Sequence, residues 1–199
     1  KPWQYDNLYA PFDFAINKSE EEITEEIKTI EVAAKLYFQF NKETVAEVKK
    51  AYQLRTSLYN VSDSLSTNDI ESMLKTGNTI IENVYKNGFI EATSEGIISD
   101  KNSFIALKKD NQVQDIIYTN LLYSKDVFEL IKNSLGEQPY SYSQNINLSI
   151  LSEVIKPNVS YDNEFTQKVI DESVNEISLS KGKVSVGELI ILKGDIVEG

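Results

Sequence analysis

Carboxylates are the only side chains in this sequence that could carry acid–base chemistry. The 199 residues include no histidine and no cysteine, which excludes Ser-His-Asp and Cys-His catalysis, disulfides, and the usual zinc and haem ligand sets. Asp162 and Glu164 form an acidic pair that could in principle serve a hydrolase. Asp195 and Glu198 form a second such pair. Among 31 acidic residues these pairs are expected by chance, so we predict no catalytic residue, no metal and no cofactor in this chain.

Known phosphate and calcium loops are incomplete in the sequence. The string GKVS at 182–185 resembles the end of a phosphate-binding loop, but the positions that need glycine and Ser/Thr hold Ile177 and Val184. A β-turn is the better interpretation of this string. No D-x-[DN]-x-[DN]-G calcium loop is visible either. Neither a nucleotide nor a calcium ion is therefore predicted as a ligand.

Tyrosines and one polar turn are the remaining candidate binding residues. Tyr140 and Tyr142 lie in a polar loop and could form a binding surface, because tyrosine supplies contact area and a hydroxyl at low entropic cost. The turn that contains Asn158, Tyr161 and Asp162 is the second candidate. The structural alternative is that most tyrosines are half-buried in the core and that this turn only caps a helix.

Length and charge limit the class of protein further. A chain of 199 residues fits a single domain, 1–199. The net charge of −11 would on average repel nucleic acid phosphates and anionic lipid surfaces, so no nucleic acid partner is predicted. Apolar runs such as 189–192 are far shorter than the roughly 20 residues of a membrane-spanning helix. The chain opens with Lys1 and its only methionine is Met73, so we expect a piece of a longer protein.

Apolar periodicity predicts helices over about 19–87 and 125–176. Ser19 followed by Glu22 is a capping box, and Asn41 is the expected N-cap of a second helix. A third helix is expected from about Thr67. The stripe that the first helix should bury consists of Ile23, Ile27, Ile30 and Ala34.

Short β-branched and aromatic runs predict strands over about 8–16, 89–123 and 177–198. Pro11 restricts the first of these to an edge position. Glycines in the last segment mark turns or bulges between its β-rich runs, and no internal repeat is evident. The fold class expected is α+β, mainly helical.

Two blocks at opposite ends of the chain resemble one known family. Near the start these are LYAPFDFAI and LYFQFNKETV, and near the end KPNVSYDNEFTQKVIDESVNEI and KGKVSVGELIILKGDIVEG. They resemble the extracellular domain of bacterial seven-transmembrane receptors that carry an intracellular HD phosphohydrolase. The matching positions of the closing block are Pro157, Asn158, Tyr161, Asp162, Thr166, Gly187, Glu188, Ile190, Gly194, Asp195 and Val197. One departure is Leu36, where the family pattern has a proline.

The resemblance implies a sensory domain that follows one membrane helix and precedes a bundle of others. It also implies a cytoplasmic HD domain that hydrolyses cyclic di-AMP, which cannot lie in this histidine-free piece. The domain would sit outside the bacterial cytoplasmic membrane, in the periplasm where there are two membranes. Its partners would be an envelope ligand or protein and the parent membrane helices. Because packed helices stand roughly 10 Å apart, the 8–16 strand should pair with a hairpin formed by 187–197.

Three alternatives remain open at this stage. A periplasmic binding module that is not coupled to signalling would favour widely separated chain ends. A carboxylate-dependent hydrolase of cell-wall material would need two acids that converge in a cleft. A structural spacer or dimerisation unit, which includes a homodimer, would show a large apolar surface patch.

Overall fold

The computed structural model of the chain describes residues 1–61, 65–98 and 100–197. The chain divides into two compact units, which we call the terminal unit and the central unit. The terminal unit is built from both ends of the chain, Lys1–Ala34 and Gln167–Gly199, and the central unit comprises Lys35–Thr166. The single domain expected from the length stays a prediction.

The described residues form six helices and several small, mainly antiparallel sheets, which confirms the α+β fold class. The helices are α1 (Glu20–Ala33), α2 (Glu43–Val61), α3 (Thr67–Asn87), α4 (Ser124–Leu135), α5 (Tyr142–Val154) and α6 (Asn163–Asn175). The strands are β1 (Leu8–Tyr9), β2 (Phe14–Asn17), β3 (Tyr37–Phe40), β4 (Phe104–Lys109), β5 (Gln112–Ile117), β6 (Val159–Tyr161), β7 (Ser180–Val184) and β8 (Leu189–Ile191). Short 3₁₀ turns occur at Ala92–Ser94 and Tyr118–Asn120.

The strands of the terminal unit pair the two ends of the chain with each other. β1 pairs antiparallel with β8 and β2 pairs antiparallel with β7, so the expected pairing of the first and last segments is confirmed. The continuous 8–16 strand is wrong, because the chain bends at Pro11 and Phe12 between β1 and β2. The hairpin expected over 187–197 does not form, because within that range β8 pairs with β1 and Ile196 forms an isolated bridge with Pro2.

Helix α1 begins at the capping box that the sequence predicts. The Ser19 hydroxyl accepts from the Glu22 amide at 3.2 Å, and the Glu22 carboxylate accepts from the Ser19 amide at 2.7 Å. The apolar stripe of α1 is only partly buried. Side-chain hydrogen bonds therefore hold the start of α1, while burial of its apolar stripe contributes only in part.

Four helices, α2 to α5, enclose the helical core of the central unit. Gly77 of α3 lies against Tyr52 of α2, and a Cβ atom at Gly77 would fall 2.1 Å from the Tyr52 ring. The Tyr52 hydroxyl lies 2.7 Å from the Met73 carbonyl and 2.8 Å from Asn147 Oδ1. Burial raises the pKa of Tyr52 to about 12. Gly77 would otherwise weaken its helix, and here it gives the room that the buried tyrosine occupies.

A four-stranded sheet in the order β5-β4-β3-β6 forms the second core of the central unit. β3 runs parallel to β4 and antiparallel to β6, with Phe38 opposite Leu107 and Tyr161. Both β3 and β6 lie within ranges that the sequence predicts to be helical. The prediction fails there because strands of 4 and 3 residues give too short a pattern, and their partners lie far away along the chain.

Candidate functional site

Asn158, one of the candidate binding residues, is a buried cross-link between three segments. Its side-chain Oδ1 accepts from the Phe89 amide at 2.8 Å, and its backbone amide donates to the Phe89 carbonyl at 2.9 Å. Its carbonyl accepts from the Asn41 amide at 2.7 Å. The side chain is 4% exposed, and its Nδ2 is closed off from solvent without a partner among the described residues. This residue therefore holds the fold together and does not present its amide to a ligand.

Tyr161 and Asp162 follow Asn158 on β6 and at the start of α6. The half-buried Tyr161 ring packs 5.5 Å from that of Phe38, centroid to centroid. The Asp162 carboxylate accepts from the Phe165 amide at 3.0 Å, and its other oxygen lies 3.0 Å from Lys108 Nζ. The structure thus gives Asp162 the role of a helix cap that is held by an ion pair.

A surface cavity of about 320 Å³ lies beside this turn, and Asn41, Thr44, Glu91 and Lys156 are among the residues that line it. The Lys156 ammonium pairs with Glu47 at 2.6 Å. Asn158 also lines the cavity, and its Nδ2 is closed off from solvent and has no partner among the described residues. The rim of the cavity is charged, because Glu91 and Lys156 line it.

The other two candidate residues, Tyr140 and Tyr142, do not form one exposed cluster. Tyr140 is half-buried against the helical core and donates from its hydroxyl to the Lys132 carbonyl at 3.1 Å. Tyr142 is the first residue of α5 and is 65% exposed. Only Tyr142 is therefore free to contact a partner over most of its surface.

Neither acidic pair converges on a cleft within the described residues. Asp162 faces Lys108 and Glu164 is exposed on the first turn of α6. Asp195 closes a turn through its side chain, and Glu198 lies outside the described residues. Across the part of the chain that the structure describes, no group of three or more acidic side chains could hold a metal ion.

The most distinctive arrangement is the antiparallel pairing of residues 1–18 with residues 179–197, which we call the terminal ribbon. Its backbone hydrogen bonds run from the Lys18 amide to the Leu179 carbonyl (2.9 Å) as far as the Trp3 amide and the Asp195 carbonyl (2.8 Å). At its end the Lys1 nitrogen donates to the Val197 carbonyl at 3.0 Å. The first and last described residues of the chain are therefore direct neighbours.

Two β-turns of the same design shape the C-terminal strand of the ribbon. Turn A is Ser185–Glu188 and turn B is Leu192–Asp195, and in each the last amide donates to the first carbonyl (2.9 and 3.1 Å). The acidic side chain at the end of each turn accepts from the first amide of that turn at 2.9 Å. The third position has a left-handed φ, +80° at Gly187 and +96° at Gly194, which favours glycine.

Both turns dock on the N-terminal segment through equivalent contacts. In turn A the Gly187 amide donates to the Ala10 carbonyl and the Ala10 amide to the Glu188 carbonyl, both at 2.8 Å. In turn B the Gly194 amide donates to the Trp3 carbonyl at 2.9 Å, and Trp3 donates back to residue 195. The second amide of each turn donates to a side-chain oxygen of the facing strand.

The terminal ribbon therefore repeats one turn geometry at a spacing of seven residues, which the sequence alone does not make evident. Only the glycine and the acid that follows it recur, as Gly187-Glu188 and Gly194-Asp195. The other positions of the two turns carry different residues, because their contacts with the facing strand are made by backbone groups and do not depend on the side chain. These residues are the same ones on which the family resemblance of the closing block rests.

One surface ion pair joins the two strands of the ribbon, and another joins its C-terminal strand to the first turn of α1. Lys183 Nζ lies 2.6 Å from Asp13, and Lys181 Nζ lies 2.7 Å from Glu22. The Lys183 ammonium and the Val186 amide lower the pKa of Asp13, and Lys181 with the Ser19 amide lowers the pKa of Glu22. Because these groups are exposed to solvent, they set the alignment of the strands more than the stability of the ribbon.

No helix among residues 1–61, 65–98 and 100–197 has the length and apolar character needed to cross a membrane.

Comparison with known proteins identifies the chain at the level of its family. A family model described as 7TM-HD extracellular matches residues 4–199. No curated protein and no solved structure matches the chain. The match includes both blocks on which the resemblance depends and the whole segment between them. The chain therefore belongs to the 7TM-HD extracellular family, the extracellular domains of seven-transmembrane HD receptors.

Proposed function

We propose that this chain is the sensory domain of a bacterial membrane receptor and that it regulates a cytoplasmic HD phosphohydrolase acting on cyclic di-AMP. In this proposal the domain lies outside the cytoplasmic membrane, and both of its ends continue into membrane helices. The observation that carries it is the pairing of Lys1 with Val197 at the end of the terminal ribbon, where the Val197 amide donates to the Lys1 carbonyl at 3.0 Å. Helices that pack directly stand about 8–10 Å apart, so neighbouring ends suit neighbouring helices.

The same adjacency counts against a periplasmic binding module that is not coupled to signalling. Such a module does not require its chain ends to be joined, whereas a receptor needs them together to act on one helix bundle. An envelope ligand or protein would regulate the receptor by binding one state of the domain more tightly than another. The change would reach the membrane as a shift between the two strands of the terminal ribbon.

We propose further that this chain binds and does not itself catalyse. It has no histidine or cysteine to act as base or nucleophile. The candidate acid Asp162 is committed to a helix cap and to Lys108. In this proposal the phosphohydrolase chemistry belongs to the HD domain elsewhere in the receptor.

A disulfide across the terminal ribbon tests the coupling directly. Leu8 and Ile191 face each other in the β1–β8 register, and directly paired antiparallel residues have Cα separations that a disulfide can bridge. The chain has no cysteine of its own. Leu8→Cys with Ile191→Cys would therefore be introduced into a full-length receptor whose other cysteines have been replaced, and cyclic di-AMP hydrolysis would be measured in membranes.

We expect oxidation of this pair to change the hydrolysis rate roughly fivefold or more, and reduction to restore it. The controls are the single substitutions Leu8→Cys and Ile191→Cys, because one cysteine alone cannot close a bridge within the chain. A complete cross-link that leaves the rate unchanged, in a receptor whose rate also survives deletion of 1–199, would refute the proposed function.

A further inference from the structure

The open end of the terminal ribbon carries apolar and aromatic side chains that no core covers. This group, the ribbon tip, consists of Trp3, Tyr5, Leu192, Ile196 and Val197. Tyr5 is 72% exposed and Ile196 is 78% exposed, and the others are partly or largely exposed. The rings of Trp3 and Tyr5 contact edge to face with centroids 5.1 Å apart. The tip is thus a small, preformed aromatic surface beside the two chain ends.

The chemistry of the ribbon tip matches that of a lipid headgroup region. Tryptophan and tyrosine collect at membrane–water interfaces because each has an apolar ring and a polar group. The Trp3 indole nitrogen already donates to the Asp6 carbonyl at 2.9 Å, so its polar atom is satisfied without the bilayer. Aliphatic neighbours add apolar area that water otherwise contacts.

The charges around the ribbon tip are balanced, unlike those of the chain as a whole. Lys193 lies 3.3 Å from Asp6, and Lys1 and Asp195 occupy opposite strands next to them. The full chain has a net charge of −11, which would repel an anionic surface at long range. The tip is therefore the part of the ribbon that can approach a bilayer at low electrostatic cost.

We infer that the ribbon tip docks on the headgroup region of the membrane that holds the receptor's helices. This inference rests on the proposed function, because attachment of both chain ends to membrane helices brings the tip to the bilayer surface. Docking would then fix the position of the ribbon relative to the bilayer surface. A shift between the strands of the ribbon would therefore move the membrane helices and would not be dissipated by rotation of the whole domain.

Trp3 is the only tryptophan of the chain and reports docking without a label. Because the chain also lacks histidine, a hexahistidine tag at its C-terminus tethers it at one point to phosphatidylcholine vesicles that contain a nickel-chelating lipid. Emission of Trp3 is compared on vesicles whose acyl chains carry bromine near the headgroup, bromine near the chain end, or no bromine.

We expect the emission of Trp3 to move to shorter wavelength on the vesicles and to be quenched most by bromine near the headgroup. Ile196→Ser should weaken docking roughly fivefold, because it removes exposed apolar area from the tip. The matched control is Val32→Ser, since Val32 is 87% exposed and belongs to α1, not to the terminal ribbon. The control should leave the quenching unchanged.

Three results would overturn the inference. One is emission that bromine does not quench, and another is an equal loss of quenching in Val32→Ser. The third is a wavelength shift that follows protein density and not bromine, which would show that a second copy of the chain covers the tip. The disulfide experiment reads hydrolysis and not lipid contact, so failure of docking and failure of the sensory role can be told apart.

Discussion

Gly194→Ala tests whether the repeated turns hold the two chain ends together. A Cβ atom at this position meets no heavy atom within 4 Å, while φ is +96°. The substitution therefore introduces no steric clash. It destabilises turn B only because L-residues disfavour this backbone conformation by about 1–2 kcal/mol. At about 1.4 kcal/mol for each tenfold change in an equilibrium constant, local opening of turn B should become roughly 5 to 30 times more frequent.

Hydrogen exchange measured by NMR reads this opening residue by residue. The amide of Trp3 donates to the Asp195 carbonyl in turn B, so its exchange should accelerate by the same factor. The amide of Phe89 lies in the central unit and is held by Asn158. It should exchange at the wild-type rate, which shows that the effect is local.

Gly182→Ala is the matched control in the same ribbon. Gly182 is not among the residues with positive φ, and a Cβ there would lie 3.7 Å from Ile16 Cδ1, an ordinary contact. This substitution should be neutral or stabilise the strand slightly. Exchange at Trp3 that stays within twofold of wild type in Gly194→Ala, or that rises equally in both variants, would refute the role assigned to the left-handed glycine.

Three further predictions concern the cores and the ribbon surface. Gly77→Ala should lower the free energy of unfolding in urea by about 2–4 kcal/mol, because the alanine Cβ overlaps Tyr52. This loss outweighs the better helix propensity of alanine. An unchanged urea midpoint would contradict the contact between Gly77 and Tyr52. Asn158→Ala should cost about 2–3 kcal/mol in the same assay, since it leaves a buried backbone N–H unpaired, and a loss below 0.5 kcal/mol would show that water replaces the amide. The pKa of Asp13, followed by the NMR shift of its carboxyl carbon, should lie below its ordinary value of 3.8. Lys183→Met should return the pKa toward that value. A pKa that Lys183→Met does not change would exclude the ion pair as the cause.

The lowered pKa of Asp13 fixes the sign of its effect on stability. A carboxyl group whose pKa is lower in the folded state stabilises the fold fully above its unfolded value, 3.8 for this aspartate. This contribution is lost as the pH falls through the lower, folded-state pKa. The ribbon should therefore keep its ion pairs at neutral and mildly acidic pH.

Features that depend on neighbouring residues were predictable from the sequence, and those that depend on distant ones were not. The capping box of Ser19 and Glu22, the start of α3 at Thr67, and the Asn41 side chain at the start of α2 all lie where the local pattern predicts them. By contrast, β3 takes its strand conformation from β4, more than sixty residues later in the chain. Its few residues carry no signal strong enough to separate it from the helices on either side.

The candidate site shows the same limit. Asn158 and Asp162 are polar residues in a turn, a pattern that both binding sites and helix caps produce, and only their partners Phe89 and Lys108 decide between the two. The repeat of turns A and B was hidden because it is made mainly by backbone groups. The recurring glycine and acidic residue were visible in the sequence. The sequence does not show, however, that both turns form hydrogen bonds with the facing strand.

Both chain ends lie at the same end of the antiparallel ribbon, so the direction of an applied force determines how the ribbon opens. A force that pulls the two chain ends apart would act across the ribbon and break its hydrogen bonds in succession, first at Lys1 and Val197 and then at Trp3 and Asp195. A force that slides one strand along the other would instead strain all of these hydrogen bonds at once, together with the ion pairs between the strands. The ribbon would therefore yield to separation of the chain ends and resist their sliding.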